Sequence, residues 1–308
     1  DMKARTNGEI YIGVVGPVRT GKSTFIKRFM NLMVLPNIED ENDRNRANDE
    51  LPQSSSGKTI MTTEPKFVPN EAVSIKTEEG IELNVRLIDC VGYMVEGATG
   101  HMEGEEERLV KTPWFDYEIP FTKAAAIGTK KVITEHSTIG VVVTCDGSFG
   151  EIAAKQYEPA EEETIKQLKA LKKPFVVLLN TIHPYSESTK QLAAEKEEKY
   201  QTKVLPMNLE QMKKEDIYEI IKSVLMEFPI SSIGFYVPRW TEMLKKDHPL
   251  KMELLQMARD VITEKTTMRD IYEEQEKEYE YITGQKLESV AMDSGEVVIT
   301  VKVGDVYY

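Results

Sequence analysis

The chain has 308 residues and a formal net charge of −13, with a sequence pI of about 5.0. Because nucleic-acid binding needs a positive field, this acidic balance argues against it and against simple adhesion to anionic lipid. Apolar residues make up 40% of the chain, enough for the core of a full α/β domain and a smaller one. The sequence shows no apolar run of about 18 residues and no apolar core near its start, which predicts a cytoplasmic protein without a transmembrane segment or signal peptide.

The first predicted element is a strand that leads into a glycine-bearing turn. Residues 10–15 are an apolar run, residues 16–23 read G-P-V-R-T-G-K-S, and residues 24–29 follow a helical pattern. The turn matches the phosphate-binding pattern G-x-x-x-x-G-K-S, and a strand before it with a helix after it is the context that this motif requires. The sequence therefore predicts a nucleotide site at the end of the first strand.

The residues of this loop have separate expected roles. Glycines let successive backbone N–H groups turn inward around a phosphate, and the new helix adds its positive end. Lys22 is expected to place a positive charge between the outer phosphates, and the Ser23 hydroxyl is expected to ligate Mg²⁺. Arg19 is either a second source of stabilising charge or a solvated side chain on the loop.

A polar segment with the composition of a mobile loop follows the first helix. It covers residues 39–53 and leads to residues 58–65, which contain two adjacent threonines. In switch proteins with a phosphate-binding loop, a threonine at this place ligates Mg²⁺ and senses the terminal phosphate of a triphosphate. Thr62 and Thr63 are the two candidates, and the sequence does not choose between them.

An antiparallel hairpin is predicted next, from alternating residues at 72–75 and 81–89 around a Glu-Glu-Gly turn. Its second strand ends in the pattern D-x-x-G, at Asp89 and Gly92. The aspartate can hold Mg²⁺ through water, and the glycine N–H can meet the terminal phosphate. Tyr93 follows where many GTPases carry a water-orienting glutamine, so we expect slow intrinsic turnover.

Beyond the hairpin, strands alternate with helices. Residues 93–137 lack a clean period and are expected to be an inserted element or a mobile second switch. Strands are predicted at 137–144, 174–180 and 203–206, and helices at 159–171, 191–201 and 211–228. This alternation predicts an α/β fold, a P-loop NTPase with a doubly wound, mostly parallel sheet of GTPase type and its ligand beyond the carboxyl ends of the strands. Cys90 and Cys145 adjoin apolar strands and are expected to be buried thiols.

The pattern predicts two domains. Residues 1–233 are assigned to the P-loop domain, and residues 234–308 to a smaller α+β domain. The smaller domain is expected to be helical from residue 238 to about residue 281, with a break at Pro249. A strand is predicted at 296–303.

The segment that selects the base departs from the GTPase pattern. GTPases end a later strand in N-K-x-D, whose aspartate accepts two hydrogen bonds from guanine. Here Asn180 is kept, Thr181 replaces the lysine, and His183 replaces the aspartate. A neutral histidine cannot accept from both guanine donors, and such hydrogen bonds can carry about four or five powers of ten in selectivity. The prediction is ATP, with a signalling or ribosome-associated GTPase and a structural protein that only holds nucleotide as the alternatives.

These segments together define the candidate site. The residues with expected catalytic roles are Lys22, Thr62, Thr63 and Asp89. The residues expected to bind the nucleotide are Gly16, Arg19, Thr20, Gly21, Lys22, Ser23, Thr24, Gly92, Asn180 and Thr181. The residues expected to hold Mg²⁺ are Ser23, Thr62, Thr63 and Asp89.

A specific family resemblance runs along essentially the whole chain. Four motifs carry it: residues 12–30, 57–65, 87–93 and 178–185. On these motifs the chain resembles the stage IV sporulation protein A family of spore-coat morphogenetic ATPases. The resemblance implies a translation-factor-class GTPase fold that hydrolyses ATP. It also implies that hydrolysis drives a conformational change and self-assembly into the basement layer of the bacterial spore coat. The family's phosphate-loop lysine, Mg²⁺-linked aspartate and sensor threonines fall on Lys22, Asp89, Thr62 and Thr63.

The resemblance also carries expectations about partners and place. The family is longer at the C-terminus, which implies that this chain is C-terminally truncated. The missing part is expected to dock on a small amphipathic membrane peptide and to serve contacts with other coat morphogenetic proteins. The expected location is the mother-cell cytoplasm, at the outer surface of the forespore membrane.

Overall fold

A computed structural model describes residues 9–52, 64–76, 82–104, 106–150, 152–272, 277–291 and 295–304. The two candidate sensor threonines, Thr62 and Thr63, lie outside the described residues. The chain divides into two compact units, a first unit of residues 6–224 and a second unit that takes in residues 225–308. The division between the units falls after residue 224, earlier in the chain than the predicted domain boundary after residue 233. The predicted boundary stays a prediction.

The first unit is a mixed α/β unit. Its strands are β1 (Glu9–Val15), β2 (Lys66–Lys76), β3 (Glu82–Asp89), β4 (Met102–Glu103), β5 (Glu106–Glu107), β6 (Leu109–Thr112), β7 (Phe115–Pro120), β8 (Ile139–Cys145), β9 (Phe175–Asn180) and β10 (Val204–Met207). The helices up to the unit boundary are α1 (Lys22–Phe29), α2 (Glu41–Asp49), α3 (Phe121–Lys131), α4 (Ala154–Ala170), α5 (Glu187–Tyr200) and α6 (Lys214–Met226). π-helical turns extend α1 over Met30–Val34 and α3 over Val132–His136, and a 3₁₀ turn covers Leu35–Asn37.

Six of these strands form one sheet in the order β10-β9-β8-β1-β3-β2. All neighbours in it are parallel except β2 and β3, which form the predicted antiparallel hairpin. Every residue of β8 and β9 is buried, because strands covered on both faces are apolar along their whole length. The predicted α/β sheet, parallel for the most part, is confirmed.

The strand register brings the predicted site together. In the parallel pair of β1 and β3, Val14 lies opposite Asp89. The loop that follows Val15 therefore begins beside the end of β3. Since parallel strands end at the same edge of a sheet, this edge is where a ligand of an open α/β fold binds.

The structure corrects one prediction of irregular chain and shows regular elements in a second segment, for which no elements were predicted. Residues 39–53, expected to be a mobile loop, contain α2, whose first N–H groups at Asn42 and Asp43 are capped by the Asp40 carboxylate. A capped helix forms here despite its polar sequence because the cap satisfies N–H groups that a helix start leaves unpaired. Residues 93–137, which lacked a clean period, contain two short hairpins and α3.

Helix α3 was not predicted from the sequence because its buried face consists mainly of small residues. The face consists of Phe121, Ala124, Ala125, Gly128 and Thr129. Helix α4 also begins earlier than predicted, at Ala154, with Pro159 inside it. The two cysteines are buried and free, as predicted.

In its described residues, the second unit has a three-stranded sheet and two α-helices that lie wholly within it. Strands β11 (Ser232–Tyr236), β12 (Ile282–Ala291) and β13 (Glu296–Val303) lie in the order β11-β13-β12, with β11 parallel and β12 antiparallel to β13. The helices are α7 (Pro249–Glu264) and α8 (Met268–Tyr272), preceded by a 3₁₀ turn at Arg239–Met243. Among the described helices, none has both the length and the apolar character needed to cross a membrane.

The helical region predicted between residues 238 and 281 is confirmed in part, since the 3₁₀ turn, α7 and α8 lie within it, but α7 ends at Glu264 and α8 ends at Tyr272. The predicted break at Pro249 is confirmed, because residues 244–248 are not helical and Pro249 is the first residue of α7, where its missing N–H removes no helical hydrogen bond. The predicted strand at the end of the chain is confirmed as β13. Its partners β11 and β12 are half exposed, so their patterns gave no clear period.

Candidate nucleotide-binding site

The loop between β1 and α1 has the backbone of a phosphate cradle. Gly16, Arg19 and Gly21 have positive φ angles of 127°, 61° and 104°. A Cβ on Gly16 would lie 2.4 Å from the backbone oxygen of Val143, and one on Gly21 would lie 2.7 Å from Nδ2 of Asn180. Both positions require glycine, and both keep the loop tight against the sheet.

Lys22, at the start of α1, is almost completely buried, with 5% of its surface exposed. Its Nζ donates a hydrogen bond to the carbonyl oxygen of Pro17, which also accepts from the Thr20 hydroxyl at 3.0 Å. Burial lowers the pKa of Lys22, and the nearby Cys90 and Asp89 side chains raise it in part. A buried ammonium group with so little compensation is suited to an anionic ligand.

Asp89 is the acidic counterpart of this lysine. Burial raises the pKa of its carboxyl to about 6, while the Lys22 ammonium and, more weakly, the nearby Ser23 hydroxyl lower it. The Oδ1 atom of Asp89 is buried and has no hydrogen-bond partner among the described residues. An unpartnered carboxylate oxygen beside a hydroxyl oxygen is the kind of donor set that a hard divalent cation such as Mg²⁺ prefers.

Gly92 lies directly against the phosphate loop. A Cβ at this position, where φ is 97°, would lie 2.2 Å from the Gly16 oxygen and 2.6 Å from Lys22 Nζ. The next residue binds the same loop, since Tyr93 N donates to Gly16 O at 3.2 Å and Val18 N donates to Tyr93 O at 2.9 Å. The D-x-x-G segment and the phosphate loop therefore form one paired structure.

The Tyr93 side chain binds α4 rather than the phosphate loop. Its hydroxyl donates to Oε1 of Gln167 on α4 at 2.7 Å, and burial raises its pKa to about 12. A neutral phenol held by α4 cannot orient water in the same way as a glutamine amide. The slow turnover expected from this substitution stays a prediction.

Arg19 extends from the phosphate loop to the chain beyond D-x-x-G. Its Nη2 donates to the backbone oxygen of Thr99 at 3.0 Å and to the Thr99 hydroxyl at 2.9 Å. The guanidinium group is exposed. It is therefore neither freely solvated nor buried, and it joins two segments of the candidate site.

On the base side, Asn180 joins the phosphate loop to the loop after β10. Its Nδ2 donates to Thr20 O at 3.0 Å, and its Oδ1 accepts from Leu209 N at 3.2 Å. Both ends of this buried amide thus bind protein. Thr181 is also buried, with its hydroxyl accepting from the His183 N–H at 3.1 Å. Direct contact of Asn180 and Thr181 with a nucleotide stays a prediction.

Most of the predicted site residues meet at one edge of the sheet. The phosphate loop with Lys22, the start of α1 with Ser23 and Thr24, and the end of β3 with Asp89 converge there. Two threonines of the site were not predicted, Thr99, which binds Arg19, and Thr129, which binds Gly92. Neither threonine belongs to a motif, so only the folded chain identifies them.

Two protein-family models match the chain. Residues 1–229 match the family described as "Stage IV sporulation protein A, ATPase domain". Residues 230–308 match the family described as "Stage IV sporulation protein A, middle domain". The two matches together cover the whole chain.

Curated relatives carry the same name. The chain is 46% identical over its whole length to stage IV sporulation protein A of Bacillus anthracis and to that of Bacillus subtilis strain 168. It is 54% identical over 88% of its length to the protein of that name from Clostridioides difficile strain 630. The matches cover 63%, 63% and 55% of these relatives, respectively, so the chain spans less than two thirds of their length.

Proposed function

The chain belongs to the stage IV sporulation protein A family, and on that premise we propose that its first unit binds ATP with Mg²⁺ and hydrolyses it. Residues 1–229 are an ATPase domain of that family, and the names of the relatives indicate a role in sporulation. The single observation that carries the proposal is that buried Lys22 lies near enough to Asp89 to affect its pKa, while Oδ1 of Asp89 is unpartnered among the described residues. A triphosphate and a divalent cation together would satisfy both groups.

The residues of this edge have distinct roles in the proposed reaction. The N–H groups of the phosphate loop and the Lys22 ammonium bind and orient the phosphates, and burial of Lys22 strengthens that attraction. Ser23 and Asp89 would hold Mg²⁺, which neutralises phosphate charge when bound. Thr62 and Thr63 are proposed to complete the metal site as sensors of the terminal phosphate.

We assign ATP rather than GTP as the nucleotide. The support is the replacement of the guanine-binding aspartate by His183, whose side chain is exposed. The assignment of the sheet to the GTPase type is also part of this proposal. What favours it is the antiparallel edge strand β2 beside β3, with D-x-x-G at the end of β3.

The proposed use of hydrolysis is a change of shape before assembly. We propose that it permits self-association into the basement layer of the spore coat, at the outer surface of the forespore membrane in the mother cell. Contacts with a small amphipathic membrane peptide and other coat proteins are assigned to parts of the family outside this chain. Membership of the family supports these proposals. Light scattering with and without ATP, on a chain extended to the family's full length, tests assembly, and no ATP-dependent rise would contradict it.

Phosphate release from ATP and from GTP tests the catalytic part. We expect release from ATP in the wild type and its loss in Lys22→Ala. Lys27→Ala is the matched control, because Lys27 is exposed on the same helix, and it should retain the rate. Release from GTP with ATP ignored would favour the signalling or ribosome-associated alternative.

A second candidate, a protein that holds nucleotide without turning it over, rests on one observation. The Tyr93 hydroxyl is held by Gln167, so this position supplies no water-orienting amide. Binding of ATP by the wild type with no phosphate release in a single-turnover experiment would favour this candidate over the ATPase.

A further inference from the structure

A buried threonine holds the N–H group that the proposed reaction needs. Gly92 N donates to Oγ1 of Thr129 at 3.1 Å. Thr129 lies on α3, is fully buried, and donates its own hydroxyl proton to Ala125 O at 2.8 Å. The hydroxyl thus acts as donor within its helix and as acceptor for the D-x-x-G segment.

The position of Gly92 gives this bond its significance. The space where a Cβ would stand on Gly92 is 2.6 Å from Lys22 Nζ, the group proposed to bind the outer phosphates. The same N–H is the one expected to meet the terminal phosphate of a triphosphate. One N–H makes one strong hydrogen bond at a time, so Thr129 and that phosphate are alternative acceptors.

The Gly92 N–H can exchange one acceptor for the other by rotation of its peptide plane. Glycine rotates its peptide plane with little steric restriction, so Gly92 can redirect its N–H while its Cα stays against the loop. Thr129 keeps its bond to Ala125 after the exchange, so its hydroxyl proton remains satisfied. Only an acceptor lone pair is left free, which is the less costly kind of unpaired group.

We propose that Thr129 is a positioning residue that competes with the terminal phosphate of a nucleoside triphosphate for the Gly92 N–H. A diphosphate has no terminal phosphate at that point and leaves the bond to Thr129 in place. Thr129 therefore lowers affinity for triphosphate relative to diphosphate, and α3 is released from the D-x-x-G segment only when triphosphate binds. This inference rests on the proposed function, because it assumes that the phosphate loop binds nucleotide.

Equilibrium binding of ADP and of a non-hydrolysable ATP analogue, both with Mg²⁺, provides the first test. Thr129→Val keeps the shape and removes the acceptor, and we expect it to raise the ratio of analogue affinity to ADP affinity by about three- to tenfold, the effect of one hydrogen bond. Thr129→Ser restores the acceptor and should restore the wild-type ratio.

Thr134→Val is the matched control for this test. Thr134 makes the same type of bond to the backbone oxygen four residues earlier, at 2.9 Å to Lys130, and lies in the turn that extends α3. The control should leave the ratio unchanged. A Thr129→Val protein that alters both affinities equally, or neither, overturns the inference and leaves Thr129 with a packing role.

The second test observes the Gly92 amide itself. The sequence holds three Val–Gly pairs, which end at Gly16, Gly92 and Gly304. Carbonyl-labelled valine with ¹⁵N-labelled glycine therefore gives three NMR signals, and Val91→Ile identifies that of Gly92 by removing it.

In the wild type, we expect the Gly92 signal to move with the ATP analogue and to keep its position with ADP. In Thr129→Val, its hydrogen exchange without nucleotide should be about tenfold faster, and the analogue should restore protection. Unchanged exchange in Thr129→Val overturns the inference. Wild-type protein that binds neither nucleotide overturns the proposed function and the inference with it, whereas wild-type binding of both with an unaltered ratio in Thr129→Val overturns the inference alone.

Discussion

Asn180 offers the sharpest test of how the phosphate loop is held. Asn180→Ala removes a side chain that is 6% exposed, whose amide bonds Thr20 O at 3.0 Å and Leu209 N at 3.2 Å. Each bond contributes about 0.5–1.5 kcal/mol net, and a buried N–H left unpaired costs about 1–3 kcal/mol. We therefore expect the free energy of unfolding to fall by about 2–4 kcal/mol.

The same change should weaken nucleotide binding, because Thr20 belongs to the phosphate loop. If about 1.4 kcal/mol of the loss appears in the loop, ADP affinity falls about tenfold. Asn180→Asp separates the two bonds, since it keeps the acceptor for Leu209 N and places a carboxylate against Thr20 O. It should lose nucleotide affinity as Asn180→Ala does.

Urea unfolding and equilibrium ADP binding measure the two effects. The control is Asn84→Ala, a change to an exposed asparagine on β3, which should stay within about 0.5 kcal/mol of the wild type. Asn180→Ala with wild-type stability and wild-type ADP affinity would refute the reasoning that this amide holds the loop.

Two further predictions concern the close approach at Gly92 and a buried ion pair. Gly92→Ala places a Cβ 2.6 Å from Lys22 Nζ and should abolish ADP binding measured by calorimetry; retained affinity would show that the D-x-x-G segment is not bound to the loop. Glu161→Gln breaks the 2.5 Å pair between Lys196 and Glu161, which is 1% exposed, and should lower the free energy of unfolding in urea by about 3–5 kcal/mol. Glu162→Gln, which removes a half-exposed ion pair, should cost less than about 1 kcal/mol, and equal losses in the two variants would contradict this prediction.

The phosphate loop and the D-x-x-G segment could be predicted from the sequence because their chemistry depends on local residue order. A loop that wraps phosphate needs its glycines, lysine and serine at fixed spacing. The strand before it is a continuous apolar run, and the helix after it follows a helical pattern. The hairpin of β2 and β3 was predictable for the same reason, since alternation and a turn are local signals.

The contacts that tie these motifs together were not predictable. Thr129 reaches Gly92 across 37 positions, and Asn180 reaches Thr20 across 160. Such contacts depend on which elements become neighbours in the fold. Asn180 was expected to bind nucleotide, and only the structure shows that both ends of its amide bind the protein.

Helices built from polar or small residues were also not predicted from the sequence. Helix α2 has a single buried residue, Ala47, so it carries no apolar stripe from which a helical period could be read. Its helix signal is the Asp40 cap, which is weak without such a stripe. Strand β12 is half exposed along its length, and its pairing with β13 is what defines it.

Phosphate release from ATP, measured with Mg²⁺ and with a chelator in wild type and in Asp89→Asn, tests the central claim most directly. Asp89→Asn keeps the shape of the side chain and removes the charge that would hold the cation. We predict release that requires Mg²⁺ in the wild type and falls by roughly a hundredfold in Asp89→Asn, the scale of losing one stabilising group at a reaction centre. Release from ATP that persists without Mg²⁺, or that is undiminished in Asp89→Asn, would contradict the account.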